Sequence, residues 1–316
     1  MIFPTIPFRR LRPLVHMAGD RMRTNPSSPT PDEKLALLGH PPDARLLIVN
    51  GDDLGMCHAA NAGTFEALEV GLMTSASLMV PCPWAYDACL RLRSRPDLDV
   101  GVHLTLNCDW DRYRWGPVLG ADRCPSLVDA WGYFHRGEDD LYARGNVDEV
   151  MAEADAQIRR AIDWGLDPTH LDGHRQPFYT HPPYLPVYVE LARRYNLPLR
   201  LPHLLYKEQG AAQVYGALPL DGLMTADDLR FVSLEDPPKL RAELLKTLRS
   251  LHPGITELCL HAAARTPEGE AITTDLPARV EAQHLMVDGA IREEINRLGI
   301  ILIGWRTLRD AQRRSA

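Results

Sequence analysis

Short, uninterrupted apolar runs recur along this chain and limit its fold more than any other feature. They lie at residues 46–50, 75–80, 100–106, 170–174, 198–202, 256–261 and 300–305. Continuous rather than alternating apolar runs favour strands that are covered on both faces, as in parallel sheets. The sequence therefore predicts a mainly parallel sheet whose strands begin at Leu46.

Segments with helical spacing separate these runs. Residues 147–164 place their apolar side chains on one face, between a predicted capping box at Asn146 and a stop at Gly165. Further helices are predicted at residues 184–195, 237–251 and 277–298, the last as one continuous helix. Regular strand–helix alternation over this length favours a closed or nearly closed parallel β/α barrel over an open doubly wound sheet.

Two stretches fall outside this alternation. Residues 1–44 are interpreted as an N-terminal extension, which leaves residues 45–316 as the principal domain. A long insertion at residues 107–146 follows the third strand and is rich in aromatic side chains, among them Trp110 and Trp131. A long aromatic loop after a strand is a candidate substrate loop.

The composition argues against several classes of protein. The formal net charge is −7 and the isoelectric point is about 5.9, so no basic surface for nucleic acid or an anionic membrane is indicated. No apolar run approaches the roughly 18 to 20 residues of a membrane span, and prolines and arginines interrupt the first apolar residues. The six cysteines form no C-x-x-C pair and are expected to be reduced. We expect a cytoplasmic protein that binds neither nucleic acid nor membrane.

Acidic and imidazole side chains gather where the predicted strands end. They are Asp52, Asp53, His103, His170, Asp172, His174 and His261. The carboxyl ends of the strands of a parallel barrel converge on one face, where active sites form. A single histidine in a strand is more often a hydrogen-bonded core residue than a ligand. The coincidence of such residues at four strand ends is what indicates a site.

Residues of these types can bind a metal ion. One aspartate oxygen and two imidazole nitrogens suit Zn²⁺ with an open position for water or substrate. Mn²⁺, Co²⁺ and Ni²⁺ also fit, and Mg²⁺ fits less comfortably. A bound metal polarises a carbonyl and lowers the pKa of water. A spare carboxylate and a spare histidine beside it could act as general base and general acid.

Five segments of the chain resemble the YdjC-like carbohydrate deacetylase family, which includes the chito-oligosaccharide deacetylases. The segments are NGDDLG at 50–55, NAG at 61–63, GVHLTL at 101–106, THLDGH at 169–174 and ELCLH at 257–261. They occur in the order and at the spacing of the family. The resemblance extends over nearly the whole chain after the extension.

This resemblance implies a role for each matching residue. It implies metal ligation by Asp53, His103 and His174, with Asp52 as the base that activates water and His261 as the acid that protonates the leaving amine. The implied reaction is the removal of an acetyl group from an N-acetylated sugar or small oligosaccharide. The implied fold is a distorted, TIM-barrel-like (β/α) barrel. The implied cofactor is one divalent ion, Zn²⁺ before Mg²⁺, and a homodimer is the assembly often seen in the family.

The sugar itself does not follow from the resemblance. Chito-oligosaccharide members continue the D-S-H segment with further histidines, whereas this chain reads RQPF at 175–178. Arg114, Trp115 and His58 are candidates for substrate binding, although packing within the loop explains the first two equally well. The alternatives are a metal-dependent phosphoesterase, an O-acyl esterase, and a non-catalytic sugar-binding protein on the same scaffold.

Overall fold

The structure, a computed structural model, describes residues 29–175, 177–201, 218–232 and 236–315. Residues 1–28 of the predicted extension lie outside these ranges. Seven strands form one sheet in the part of the chain that is described. They are β1 (Arg45–Leu54), β2 (Ser75–Leu78), β3 (Val100–Leu104), β4 (Leu171–Gly173), β5 (Asp228–Phe231), β6 (Gly254–Leu260) and β7 (Ile300–Leu302).

β1 lies at the centre of this sheet. The strand order is β4-β3-β2-β1-β6-β5, with β7 also paired to β1, and every pair is parallel. β7 pairs with the first residues of β1, from Arg45, and β2 pairs with its later residues, from Asn50. Every residue of β1 after Arg45 is buried, as a strand covered on both faces should be.

Short extended segments between β4 and β5 continue the curved sheet through backbone hydrogen bonds. Leu171 donates its N–H to Pro198 O at 3.0 Å and accepts the N–H of Arg200 at 2.9 Å, and Leu199 donates to Met224 O at 3.2 Å. The run predicted as the fifth strand is therefore only a bridge at Leu199, because Pro198 has no N–H with which to continue a ladder. The predicted distorted parallel barrel is confirmed, while β5, with its partly exposed residues, was not predicted.

Helices cover the outside of the sheet, and none of them in the described ranges is long and apolar enough to cross a membrane. They are α1 (Pro31–Leu37), α2 (His58–Glu69), α3 (Ala85–Arg93), α4 (Glu138–Arg144), α5 (Val147–Asp163), α6 (Pro177–Thr180), α7 (Leu185–Tyr195), α8 (Leu240–Arg249), α9 (Pro267–Ile272), α10 (Leu276–Met286), α11 (Gly289–Arg297) and α12 (Trp305–Ser315). Short 3₁₀ turns occur at Pro125–Leu127 and Pro237–Lys239.

The prediction of one continuous helix at 277–298 is wrong. The chain breaks after α10, and the Asp288 side chain accepts the N–H of Ala290 at 2.7 Å, which starts α11 as a new helix. Val287, assigned to the buried stripe of the single helix, is 39% exposed. The N-cap at Asp288 thus outweighs an apolar spacing that continues across the break.

α5 begins and ends close to where the sequence predicts. The Asn146 side chain accepts the N–H groups of Asp148 and Glu149, and Gly165 has a φ of 93°, as a helix stop requires. The reciprocal half of the predicted capping box is absent, because the Glu149 carboxylate bonds to Ser126 instead.

The long insertion after β3 is tied to α5. Glu153, which is buried in α5, accepts the backbone N–H groups of Val118 and Leu119 at 2.8 and 3.0 Å. Glu149 accepts from the N–H and the hydroxyl of Ser126 at 2.9 and 2.6 Å. Two acidic side chains of one helix therefore fix the insertion beside the carboxyl ends of β3 and β4.

A glycine in α2 allows that helix to lie against the chain that follows β6. A Cβ atom at Gly63 would lie 2.4 Å from the carbonyl carbon and 2.5 Å from the Cα of Ala263. The same contact includes a hydrogen bond from Ala264 N to Ala59 O at 2.8 Å. The close approach fixes the segment that begins at His261.

We expect Gly63→Ala to destabilise the fold by about 1 to 3 kcal/mol, because the added methyl group overpacks this contact. Alanine is otherwise the better helix former by about 1 kcal/mol. Urea unfolding measures the change. Gly289→Ala is the matched control, since a Cβ there meets nothing within 4 Å. Equal stability of both variants and the native protein would contradict the steric account.

Candidate active site

Three buried side chains with metal-binding atoms meet at the carboxyl ends of β1, β3 and β4. Asp53 Oδ1 lies 3.5 Å from His103 Nε2 and 3.2 Å from His174 Nδ1. One donor atom from each residue lies within 4.8 Å of the others. The three residues predicted as ligands therefore form a group that could hold a metal ion.

The backbone at Asp53 explains how two adjacent aspartates face different surroundings. Asp53 has a φ of 68°, in the left-handed region that residues other than glycine seldom adopt. The register of β1 against β2 also shifts here. The turn that follows is fixed by Asn61, whose Oδ1 accepts the N–H of Gly55 at 2.7 Å. Asp53 faces the two histidines, whereas Asp52 remains in the barrel interior.

His103 is oriented by a carboxylate on the neighbouring strand. The register of β3 against β4 places Asp172 beside it, and His103 Nδ1 lies 2.7 Å from Asp172 Oδ1. Burial disfavours the charged ring, but the Asp172 carboxylate outweighs burial and raises the pKa of His103 to about 10. A partner on Nδ1 leaves Nε2 for a metal, which is a common arrangement for ligand histidines.

His174 has a corresponding partner in the insertion. Its Nε2 lies 2.9 Å from Asp109 Oδ2, and Asp109 also accepts a hydrogen bond from Arg175 at 2.7 Å. Burial opposes the charged ring here too, but the Asp109 carboxylate raises the pKa of His174 to about 9. The insertion thereby contacts the second candidate ligand histidine.

Asp52, predicted as the base, lies in a bidentate pair with Arg200. Both of its oxygens accept hydrogen bonds from Arg200 at 2.8 Å, and Asn50 donates to Oδ1 at 2.8 Å. Burial alone would raise the pKa of Asp52, but the Arg200 guanidinium outweighs burial and lowers it. Asp52 is therefore ionised at neutral pH.

Arg200 extends this pair into a buried network. Its Nε and Nη2 donate to Glu257 Oε1 at 3.0 and 2.8 Å, and Nη2 lies 3.0 Å from Asp172 Oδ2. The indole N–H of Trp305 donates to the same Glu257 oxygen at 3.0 Å.

A second group could also hold a metal ion by distance alone, because one donor atom each of Asp52, His103 and Asp172 lies within 4.8 Å of the others. Arg200 bonds to both oxygens of Asp52, whereas Arg279 bonds only to Oδ2 of Asp53 and leaves Oδ1 facing the two histidines, so the group around Asp53 is the better metal site.

His261, predicted as the acid, lies on the other side of Asp53. Its Nε2 is 3.8 Å from Asp53 Oδ2, and its buried Nδ1 has no hydrogen-bond partner among the described residues. Burial lowers the pKa of His261, and the nearby Asp53 carboxylate only partly opposes this effect. The ring is therefore uncharged at neutral pH.

The three candidates for substrate binding occupy different surroundings. Trp115 is buried and packs edge-on against His174, with ring centroids 6.2 Å apart. Arg114 is tied within the insertion by hydrogen bonds to Asp129 at 2.7 Å and to Phe134 O at 2.9 Å. His58 is exposed at the start of α2, beside Trp84.

The charges around Asp53 fit a divalent ion. Within the described ranges, six buried charged side chains lie at the candidate site in two groups of ion pairs, which are Arg200 with Asp52, Asp172 and Glu257, and Arg279 with Asp53. Four carboxylates therefore face two guanidinium groups, which leaves an excess of two negative charges when the imidazoles are neutral. Buried charge without compensation is costly, and one divalent cation would balance it.

Sequence reasoning did not find Arg200, Asp109 or Arg279. Arg200 carried a signal, because an arginine inside the apolar run PLRLP requires a buried partner. Asp109 lies in an irregular loop and Arg279 on a helix, and nothing in their local spacing distinguishes them from surface residues.

A family model described as YdjC-like protein matches residues 46–297, which include all three candidate ligands. The chain belongs to the YdjC-like family. The resemblance from the sequence motifs is thereby confirmed.

Relatives of this YdjC-like chain match it over most of its length. A carbohydrate deacetylase from Thermus thermophilus is 34% identical, covering 88% of this chain and 98% of that protein. A carbohydrate deacetylase from Thermoanaerobacter pseudethanolicus is 29% identical, and the match covers 84% of this chain and 100% of that protein. A solved structure from Enterococcus faecalis, described as a putative cellobiose-phosphate cleavage protein, is 28% identical and superposes with a TM-score of 0.75. The match covers 84% of this chain and 99% of that chain.

We expect metal binding at pH 7 to release about two protons per ion, because the raised pKa values leave both ligand histidines charged in the metal-free protein. The apparent affinity should rise with pH towards about 9 to 10, as proton competition ends. Calorimetry with Zn²⁺ in buffers of different ionisation enthalpy measures the released protons. Binding without proton release would contradict the charged state of the two histidines in the metal-free protein.

Proposed function

We propose that this protein is a divalent-metal-dependent deacetylase that hydrolyses the acetamido group of an N-acetylated sugar or small oligosaccharide, giving acetate and an amine. The observation that carries the proposal is the separation of two adjacent carboxylates. Asp53 faces His103 and His174, whereas Asp52 is held ionised by Arg200. The relatives named carbohydrate deacetylase support the substrate class.

Asp53, His103 and His174 would hold the ion. One oxygen and two nitrogens suit Zn²⁺ with an open position, and Mg²⁺ or another divalent ion is the alternative. When bound, the ion supplies a Lewis acid that polarises the acetyl carbonyl and lowers the pKa of water.

Asp52 acts in the proposed reaction as the base that takes a proton from the attacking water. Arg200 fixes both carboxylate oxygens, so the acceptor is oriented before the substrate arrives. The lowered pKa makes Asp52 a weak base, and it therefore suits a water molecule whose own pKa has been lowered.

His261 gives a proton from Nε2 to the departing nitrogen. Because the lowered pKa leaves the ring uncharged at neutral pH, His261 must first take a proton from solvent, and Asp52 returns the proton of the attacking water to solvent after the products form. The partly exposed position of the ring leaves it open to a substrate, with the side chain 23% exposed.

The sugar is proposed to lie beside the aromatic insertion. Trp115 packs on His174, and the partly buried rings of Trp110 and Tyr113 pack on Trp115 at 5.9 and 6.0 Å. Trp110 and Tyr113 are partly exposed and can stack on the apolar face of a sugar, whereas the buried Trp115 supports them. Arg114 holds this loop in place, and the exposed His58 at the start of α2 stays a candidate for contact with the sugar. A homodimer and a cytoplasmic location remain predictions from the sequence.

A phosphoesterase is the weaker alternative. Phosphate sites use arginines or lysines that are free to bind the anion. Arg200, Arg279 and Arg175 lie at the candidate site in the described ranges, and each is paired with carboxylates. None of the three is therefore available to a phosphate group without losing a partner.

The purified protein should release acetate from at least one member of a panel of N-acetylated mono- and disaccharides, and a chelator should abolish this release. Asp52→Asn should retain the metal and the fold but lower kcat by orders of magnitude, because the proton acceptor is lost. Enzymatic acetate assay, metal analysis and circular dichroism measure the three properties.

Asp97→Asn is the matched control, because Asp97 also pairs with an arginine but on the exposed surface. It should leave kcat unchanged. Bound metal without acetate release from any N-acetyl sugar would reject the substrate class, and a native rate in Asp52→Asn would reject the assigned base.

A further inference from the structure

We infer that Arg279 is a positioning residue that restricts Asp53 to one metal-binding oxygen. This inference rests on the proposed function, since it concerns the metal that the proposed reaction requires. Arg279 lies on α10, far along the chain from the three candidate ligands, and it is 4% exposed.

The two oxygens of Asp53 face different groups. Oδ1 faces the ligand histidines, at 3.5 Å from His103 Nε2 and 3.2 Å from His174 Nδ1. Oδ2 accepts a hydrogen bond from Arg279 Nη1 at 2.8 Å. The carboxylate is therefore divided between the candidate metal position and the guanidinium group.

Arg279 is itself fixed on both sides. Its Nε donates at 3.0 Å to Oδ1 of Asp275, the N-cap residue of the same helix. Its backbone carbonyl accepts the N–H of Ala263 at 3.1 Å, two residues after His261. One residue of α10 thus holds both the Asp53 side chain and the segment that carries His261.

This division has a chemical consequence. A carboxylate can bind a metal through one oxygen or through both, and a charge-assisted hydrogen bond to one oxygen favours the first mode. One-oxygen binding keeps the coordination number low and leaves an open position for water or a carbonyl oxygen. The positive charge of Arg279 also withdraws electron density from Asp53, which keeps the bound ion a stronger Lewis acid.

Neutralising the buried Asp53 charge is the competing role for Arg279. In that role a substitution would lower stability, but the geometry around a bound ion would not change. The coordination number of the ion separates the two roles, and the visible absorption of bound Co²⁺ reports it, because the bands weaken as the coordination number rises.

Arg279→Met should bind Co²⁺ with visible bands at most half as intense as those of the native protein, because Asp53 can then bind through both oxygens. At saturating Co²⁺, kcat for acetate release should fall about 10- to 100-fold with KM changed less than about threefold. Arg279→Lys should restore part of both signals, since its ammonium group can still donate to Oδ2.

Arg249→Met is the matched control, because Arg249 pairs with Glu294 on the exposed surface away from the site. It should match the native protein in both measurements. Should Arg279→Met not fold, Asp275→Asn decides, since it weakens the hold on Arg279 and should weaken the bands in the same direction. A native Co²⁺ spectrum in the deciding variant would overturn the inference. The spectrum needs no sugar, so weakened bands without acetate release would reject only the proposed function.

Discussion

A concentration of buried negative charge at the carboxyl ends of β1, β3 and β4 is the constraint on which the rest of the site depends. Asp52, Asp53, Asp172 and Glu257 are all nearly inaccessible to solvent. Such groups are tolerated in a protein interior only when cations and hydrogen bonds surround them. The positions of two buried arginines and the charge of the histidines follow from this requirement, and so does the fit to a divalent ion.

The neighbours of the three candidate ligands come from separate parts of the fold. Asp172 in β4 orients His103, Asp109 in the insertion orients His174, and Arg279 on α10 holds Asp53. A metal bound at this point would connect a strand, a loop and a helix that are distant in sequence. Since the neighbours of ligand residues tune both affinity and reactivity, the insertion and α10 belong to the site as much as the strands do.

The position of the candidate site could be predicted from the sequence because topology determines where strands end. Once continuous apolar runs indicated a parallel barrel, the acidic and imidazole residues at the strand ends were expected on one face. The choice of Asp53, His103 and His174 among them as ligands came from the resemblance to the YdjC-like family. The partners could not be predicted in the same way. Asp109 and Arg279 reach the site through the packing of a loop and a helix, which leaves no periodic signal in the sequence.

Two errors of detail have local causes. The strand expected around Leu199 is reduced to a bridge because Pro198 lacks an N–H. The helix expected at 277–298 is broken because Asp288 caps a new helix that begins at Gly289, with its side chain accepting the N–H of Ala290. In both cases one residue altered the backbone hydrogen bonds while the apolar pattern continued. The barrel is insensitive to such changes, because its core depends on the apolar runs.

Anomalous diffraction at the zinc absorption edge, from crystals grown with Zn²⁺, tests the central claim most directly. We expect a peak about 2.0 to 2.2 Å from Asp53 Oδ1, His103 Nε2 and His174 Nδ1, with Asp53 Oδ2 still bonded to Arg279. A peak between Asp52 and Asp172, or no peak beside Asp53 at saturating Zn²⁺, would contradict it.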